Sequence, residues 1–250
     1  MADSGLCCGL YRGDIYLKDL GDPTAALLPV GNAEATISQE LTEIEQDNFQ
    51  SLGGKACSVS YVDSVSIDLT LHCTKPENLA IAFMGTVSHL TGAAVSNEVH
   101  PVHAKGELIP LNFVHNGTTP LVVTGPSATP TYVLNTDYIV TKAGIVITEG
   151  SSIPVIGGNI EIDYTYGNNW KVDAQTVSQK EFLLVLDGVN VGDDGEKSVV
   201  LKAWKVKFSP AESFDLIAGT EFASLAVSGE ILRDSTKATG SKFFTVEFQP

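Results

Sequence analysis

The sequence predicts a mainly β fold: a β-sandwich with one flanking α-helix and an inserted, smaller β-sandwich of immunoglobulin-like type. Three observations predict it. Segments rich in Val, Ile, Thr, Tyr and Phe recur along the chain, separated by turns that draw on 23 glycines and 11 prolines. One of them, residues 58–72, alternates apolar and polar side chains, the period of a strand with one wet face. A single segment, 74–85, carries helix signals at both ends. At 250 residues the chain suits one large β domain with a smaller one. Its texture divides it into 1–95, 96–177 and 178–250.

Taken in order, the first expected strand covers about 32–44 and the second 58–72. In the second, Val59, Tyr61, Val65, Ile67, Leu69 and Leu71 share one face, and Ser58, Ser60, Ser64, Ser66, Asp68 and Thr70 the other. The intervening 43–55, with Glu45, Asp47, Asn48, Gln50 and Gly53-Gly54, reads as a long polar connection closing an extended hairpin. The helix follows. Thr74 is its expected N-cap, Pro76 lies in the first turn, Glu77 faces the positive end and Gly85 is the stop. Leu79, Ile81 and Phe83 form the expected buried stripe.

The middle region, 96–177, holds most of the prolines, and its best strands are 121–124, 138–141, 144–148 and 159–166. In the last, Ile160, Ile162, Tyr164 and Tyr166 alternate with Glu161, Asp163 and Thr165. Short strands at such spacing predict a small sandwich, inserted between two halves of one domain. Beyond it, strands are expected at 181–186, 198–208, 221–232 and 242–248. The glycine- and carboxylate-rich 187–196 reads as a turn between the first two.

Composition narrows the function classes. Thirty Asp and Glu against fifteen Lys and Arg give a formal charge of −15. Phosphate binding rests on basic side chains, so a grip on nucleic acid is disfavoured, while a surface that lets it pass is not. Four cysteines, at 7, 8, 57 and 73, do not make a disulfide framework and are expected to be reduced. The first ten residues lack the basic flank and apolar run of a signal peptide. No uncharged apolar stretch approaches the roughly 20 residues of a membrane span.

Catalytic spacing is missing: there is no GxSxG, HExxH, GxxxxGK[ST] or GxGxxG. His100, His103 and His115 have no Cys or Asp partner at ligand spacing, so no metal or cofactor is expected. Asp193-Asp194-Gly195-Glu196 lacks the alternating acids of a calcium loop and reads as a solvated turn. Asn116-Gly117-Thr118 matches a glycosylation acceptor, and without a signal peptide it reads as a turn. No pair of carboxyls is placed as a glycosidase requires, so the chain is read as non-enzymatic.

Two stretches resemble a known family. The strand ending SIDLTLHC and the following TKPENLAIAFMG are similar to the strand and helix of phage tail tube proteins. EFLLVLDGVN, WKVKFSPAESFDLI, FASLAVSGEILRD and KFFTV are similar to that family's C-terminal half, and YVLNTDYIV to IEIDYTYG to its variable insert. The chain thus resembles, from about residue 32 onward, the major tail tube protein of long non-contractile-tailed bacteriophages. That resemblance implies a tail-tube-type sandwich assembled into stacked hexameric rings, a virion tail protein put together in the bacterial cytoplasm. The implied partners are further copies of itself, a tape measure protein in the lumen, terminator and distal tail proteins at the ends, and double-stranded DNA in transient, non-specific passage.

On that reading a lumenal face would carry Glu34, Glu40, Ser60, Ser64, Ser66, Asp68, Thr70, Ser228 and Glu230, with Lys205 and Lys207 offsetting part of the charge. The connection between the first two strands, which in the family reaches an adjacent ring, corresponds to Glu43, Glu45, Gln46, Asp47, Asn48, Phe49, Gln50 and Lys55. The insert would lie on the tube exterior. Two alternatives stand beside this: the tube subunit of a contractile injection machine, which as a rule lacks a large insert, and a host-surface adhesion module using Tyr164, Tyr166 and Trp170.

Overall fold

In a computed structural model the chain is described over residues 9–47, 55–192, 197–214 and 222–249. It divides into two compact units, one of 1–87 with 172–250 and one of 88–171. The fold is mainly β, with one α-helix among the described residues.

The first unit is built on one large antiparallel sheet. Its strands are β1 (Tyr11–Asp19), β2 (Leu28–Pro29), β3 (Ala33–Asp47) and β4 (Lys55–Leu71), which precede α1 (Pro76–Ala82). The chain leaves the unit along β5 (Thr86–Leu90). The second unit holds β6 (Ala93–Val102), β7 (Leu108–Pro110), β8 (Val122–Thr124), β9 (Tyr138–Val140), β10 (Gly144–Ile147) and β11 (Gly158–Tyr166). The return runs along β12 (Asn169–Asp173), which pairs with β5. The large sheet is completed by β13 (Glu181–Asn190), β14 (Lys197–Phe208), β15 (Leu225–Ile231) and β16 (Phe244–Phe248). Its order is β2-β1-β13-β14-β15-β4-β3. The outer edge of β14 is shared, with Val199 to Ala203 pairing β16 and Val206 to Phe208 pairing β15.

One face of this sheet is dry. Ile15, Leu17, Val65, Ile67, Leu69, Leu71, Leu184, Val206, Leu225 and Ile231 form its core, and α1 adds the buried Ala82 with Leu79, Ile81 and Phe83 partly buried beside it. The side chains of the helix buried deepest are Asn78 and Ala82 rather than the expected stripe. Asn78 is accommodated because its Nδ2 donates to the carbonyls of Val30 and Cys73, both at 2.8 Å, which leaves a buried amide satisfied. Lys75, not Thr74, is the N-cap, and Pro76 occupies the first helical position. The left-handed turn after the helix falls on Met84, φ 51°. Gly85 serves a different need: a Cβ there would sit 2.5 Å from the Asp173 carbonyl oxygen.

Residues 187–190, expected in a turn, belong to β13. Gly188 pairs with Gly13, and an added Cβ on Gly13 would lie 2.3 Å from the Asp187 oxygen. Here glycine permits two backbones to approach closely and does not mark a turn.

The second unit has two three-stranded antiparallel sheets, β7-β10-β9 and β6-β11-β8. Their inward residues, among them Val102, Ile109, Val123, Tyr138, Ile145, Ile147, Ile160 and Ile162, form a single core. The sequence expectation bounded this region at 96–177, whereas the compact unit spans 88–171. No described helix is long and apolar enough to cross a membrane.

Candidate functional site

The other face of the large sheet is where the sequence placed function. Alternation along β4 sends Val65, Ile67, Leu69 and Leu71 into the core, so Ser64, Ser66, Asp68 and Thr70 must point away. The register then fixes the rows. Asp68 lies between Ser228 and Thr36, Ser66 between Glu230 and Ser38, and Thr70 between Ala226 and Glu34. Glu40 stands opposite Ser64, whose hydroxyl donates to it at 3.4 Å. Farther along, Lys207 is opposite both Glu230 and Glu181. The Lys205 ammonium is 2.9 Å from the Glu181 carboxylate. Ten of the eleven lumenal candidates, all but Ser60, therefore share one face.

Ser60 does not. A bulge between Glu40 and Leu41 leaves Asp63 without an opposite residue, so Leu41 faces Val62, Thr42 faces Tyr61 and Glu43 faces Ser60. Along β3, Glu43 and Glu40 are an odd number of residues apart and point to opposite sides. Ser60 consequently lies on the side of Glu43, and Tyr61 and Val59 take the side of Glu40. The extra residue reverses the parity that a regular strand would have kept.

Charge is unevenly spread over this face. On β3, β4 and β15 its described side chains include Glu34, Glu40, Asp68 and Glu230 and no Lys or Arg. The exposed carboxylates are separated by Ser and Thr hydroxyls, which keep the surface hydrated. Cations stand on the opposite half: Lys202, Lys205 and Lys207 on β14, Arg12 and Lys18 on β1. The lysines are partly matched there, Lys205 by Glu181 and Lys202 by Glu247 at 3.5 Å. The offset expected from Lys205 and Lys207 thus reaches Glu181 on β13 and, through Lys207, Glu230 on β15, and not the acids of β4 and β3.

Past the bulge, β3 and β4 continue as a two-stranded ribbon whose Leu41, Ile44, Val59, Tyr61 and Val62 are all exposed. Glu43, Glu45 and Gln46 lie on this ribbon, and Gln46 receives a 3.5 Å bond from the exposed Cys57 thiol. Asp47 and Lys55 pair at its end. Asn48, Phe49 and Gln50 fall outside the described residues, as does Asp193-Asp194-Gly195-Glu196. The outer edge of β3 pairs with no strand among the described residues.

The sequence match adds one fact. Residues 10–247 match the family described as "Protein of unknown function UCP028589". The chain belongs to that family. No curated protein matches it. The match reaches from the start of β1 to the last residues of β16, so in this UCP028589 member it takes in both compact units.

In the second unit the three histidines are held separately. His100 contacts Glu98 at 2.6 Å, His103 contacts Glu107 at 3.1 Å, and His115 Nε2 meets the Thr119 carbonyl oxygen at 2.8 Å. Among the described residues no three His, Cys, Asp or Glu side chains are grouped to hold a metal. The aromatic trio does not form one patch either. Tyr164 is buried, Tyr166 stacks on Phe113 at 4.5 Å and Trp170 is exposed against the His89 ring.

Sequence reasoning missed Glu98. It is buried, yet it accepts bonds from the Tyr164 hydroxyl at 2.6 Å and the Asn112 amide at 3.0 Å in addition to its contact with His100. Burial opposes its ionisation, but the bonds from Tyr164, Asn112 and His100 outweigh that and hold the carboxyl below its ordinary range. Burial and the Glu98 carboxylate push the Tyr164 hydroxyl the other way, well above a free phenol. His100 is its one near neighbour in sequence among these partners, and the other two lie 14 and 66 residues away, so the sequence does not single Glu98 out.

Proposed function

We propose that the chain is a structural subunit that polymerises into a hollow tube, the tail tube of a long non-contractile-tailed bacteriophage. Hexameric rings of subunits stack, a tape measure protein fills the lumen during assembly, and terminator and distal tail proteins close the ends. Each subunit is a tail-tube-type sandwich carrying an immunoglobulin-like insert on the outside, and its place is the virion. The tube conducts the genome and carries out no chemistry.

One observation carries this reading: the large sheet is dry on one side, hydroxylated and acidic on the other, and stops at a fifteen-residue strand whose outer edge pairs with no strand among the described residues. A long open edge invites pairing with another chain, and proteins that stay monomeric blunt it. On the opposite margin, β1 pairs β2 at Tyr16 and Leu17 and Ile15 accepts from the Val30 amide, so among the described residues Tyr11 to Asp14 have no strand on that side. The β3 margin bears Glu34 and Glu40, whereas on β1 Arg12 and Lys18 are balanced by Asp14 and Asp19, so the two margins do not meet as like charges. Continuing the sheet from copy to copy around a ring gives a bore lined by Ser64, Ser66, Asp68, Thr70, Ser228 and Glu230, with Lys205 and Lys207 beside Glu181 and Glu230 on the same face. Carboxylates and hydroxyls offer the phosphate backbone no adhesive contact.

Negative-stain electron microscopy of the concentrated full chain tests this. Rings or hollow filaments are expected. A particle that remains a monomer at every concentration, by light scattering as well as by imaging, overturns it.

A further inference from the structure

The Asn116-Gly117 turn of the second unit has a purpose that neither assembly nor glycosylation requires. We propose that it is a self-modifying site, at which Asn116 is converted through a succinimide to aspartate and isoaspartate by catalytic groups held in the turn itself.

Each group the reaction needs is in place. Asn116 Oδ1 accepts from the backbone amides of Thr118 and Thr119, both at 3.0 Å, and two N–H donors at one atom fix that atom as the oxygen. The first of these bonds closes an Asx turn around Gly117. The Gly117 amide in turn points at His115 Nδ1, 3.3 Å away. The other ring nitrogen, Nε2, faces the Thr119 carbonyl oxygen at 2.8 Å. A carbonyl only accepts, so Nε2 carries the hydrogen and Nδ1 of the neutral ring is left as a base aimed at Gly117. The Thr119 hydroxyl lies 2.8 Å from Asn116 Nδ2, the atom that must leave. The turn is anchored by the Asn116 amide, which donates to the Thr165 carbonyl at 3.0 Å, and by pairing of His115 with Tyr166.

The steps balance without an added reagent other than water. His115 Nδ1 takes the Gly117 amide proton as that nitrogen attacks Asn116 Cγ and an N–Cγ bond forms. Negative charge develops on Oδ1 between the Thr118 and Thr119 amides, the arrangement that stabilises an oxyanion. The Cγ–Nδ2 bond then breaks, and the proton held by His115 passes to Nδ2, which departs as ammonia. The imidazole is then neutral again, and water opens the succinimide at either carbonyl to give aspartate or isoaspartate. Beyond its chain neighbours nothing lies within 4 Å of the position a Gly117 Cβ would occupy, so packing does not hold that side of the residue. The outcome is one added negative charge on an exposed turn and, in the isoaspartate product, a backbone lengthened by one atom.

The test uses the purified full chain, incubated at neutral pH either folded or unfolded in urea, with Asn116 followed by peptide mapping and isoaspartate by enzymatic methylation. A positioned general base is worth 10² to 10⁴ when well aligned, and the 3.3 Å contact supports the lower end or less, so the folded chain should react roughly tenfold faster than the unfolded one. A folded rate equal to or below the unfolded rate overturns the proposal. His115→Gln should bring the folded rate to the unfolded level or lower, and an unchanged rate in that variant removes the imidazole from the reaction. The first comparison needs no variant, so a folding defect in His115→Gln leaves the proposal decided.

Discussion

Replacing Tyr164 with Phe isolates the Glu98 network with almost no change of volume. Tyr164 is buried, its hydroxyl donates to Glu98 at 2.6 Å, and the same oxygen accepts from the Phe113 amide at 3.2 Å. Removing the oxygen takes a charge-assisted bond from a buried carboxylate, about 1.5–3 kcal/mol, and strips the Phe113 amide of its acceptor, about 1 kcal/mol more. We expect the second unit to lose about 2–4 kcal/mol. The two tryptophans fall one to a unit, Trp170 in the second and Trp204 in the first, so urea unfolding followed in a Trp204→Phe background reports the second unit alone. Glu98→Gln in the same background should be non-additive with Tyr164→Phe, because the two share one bond. Acidity supplies an independent check. The folded Glu98 carboxyl lies below its unfolded value, so its contribution is present above about pH 4.3 and fades as pH falls through the folded value. Asp137 is also lowered, by the Val133 and Ser152 amides first, and acts in the same direction. Glu98→Gln should therefore flatten the acid limb of the second unit without abolishing it. A Tyr164→Phe loss below about 0.5 kcal/mol, or strict additivity with Glu98→Gln, refutes the network.

Two further predictions concern assembly. Asp68→Lys with Glu230→Lys should leave polymers intact but slow genome ejection, more so at low salt, where screening reaches beyond its physiological length of about 8 Å; equal ejection kinetics would remove these residues from the bore. Ile44→Ser with Val59→Ser should leave thermal stability unchanged, since both are exposed, yet weaken polymerisation by 100-fold or more if each contact buries a side chain worth about 1.5–3 kcal/mol. Light scattering at matched concentrations reads the difference, and unaltered growth would show that the ribbon is not a contact.

What the sequence revealed follows from how local the determinants are. The strands β4, β11 and β15 each carry their own alternation, and they are found close to the expected bounds. The strand β1 was invisible because only Ile15 and Leu17 of its nine residues are buried. Its course is set by β13, some 170 residues away, through the Gly13–Gly188 approach. The strand β6 escaped for a similar reason: its side chains are mostly exposed and it is defined by pairing with β11. The polar face was legible wherever β4 is regular. Ser60 is the exception, and the sequence marks why: Tyr61-Val62 followed by Asp63-Ser64 interrupts the alternation where the bulge lies, so the parity of Val65 to Leu71 does not carry back to Ser60.

That bulge also divides the hairpin into parts with different requirements. Between Ala33 and Glu40, β3 rides on a sheet whose dry face is covered, and its Ile37 packs against the core. Beyond Leu41 the same two strands have no third strand on either side among the described residues, and the parity change distributes apolar side chains to both faces, Leu41 and Val62 to one, Ile44, Val59 and Tyr61 to the other. A two-stranded ribbon is at best marginally stable in water, and its apolar groups on both faces are left exposed among the described residues. A monomeric protein would gain by a shorter hairpin or a charged one. The proposed polymer accounts for both features together, since a ribbon reaching past its own sheet finds a surface to cover only when another copy supplies one.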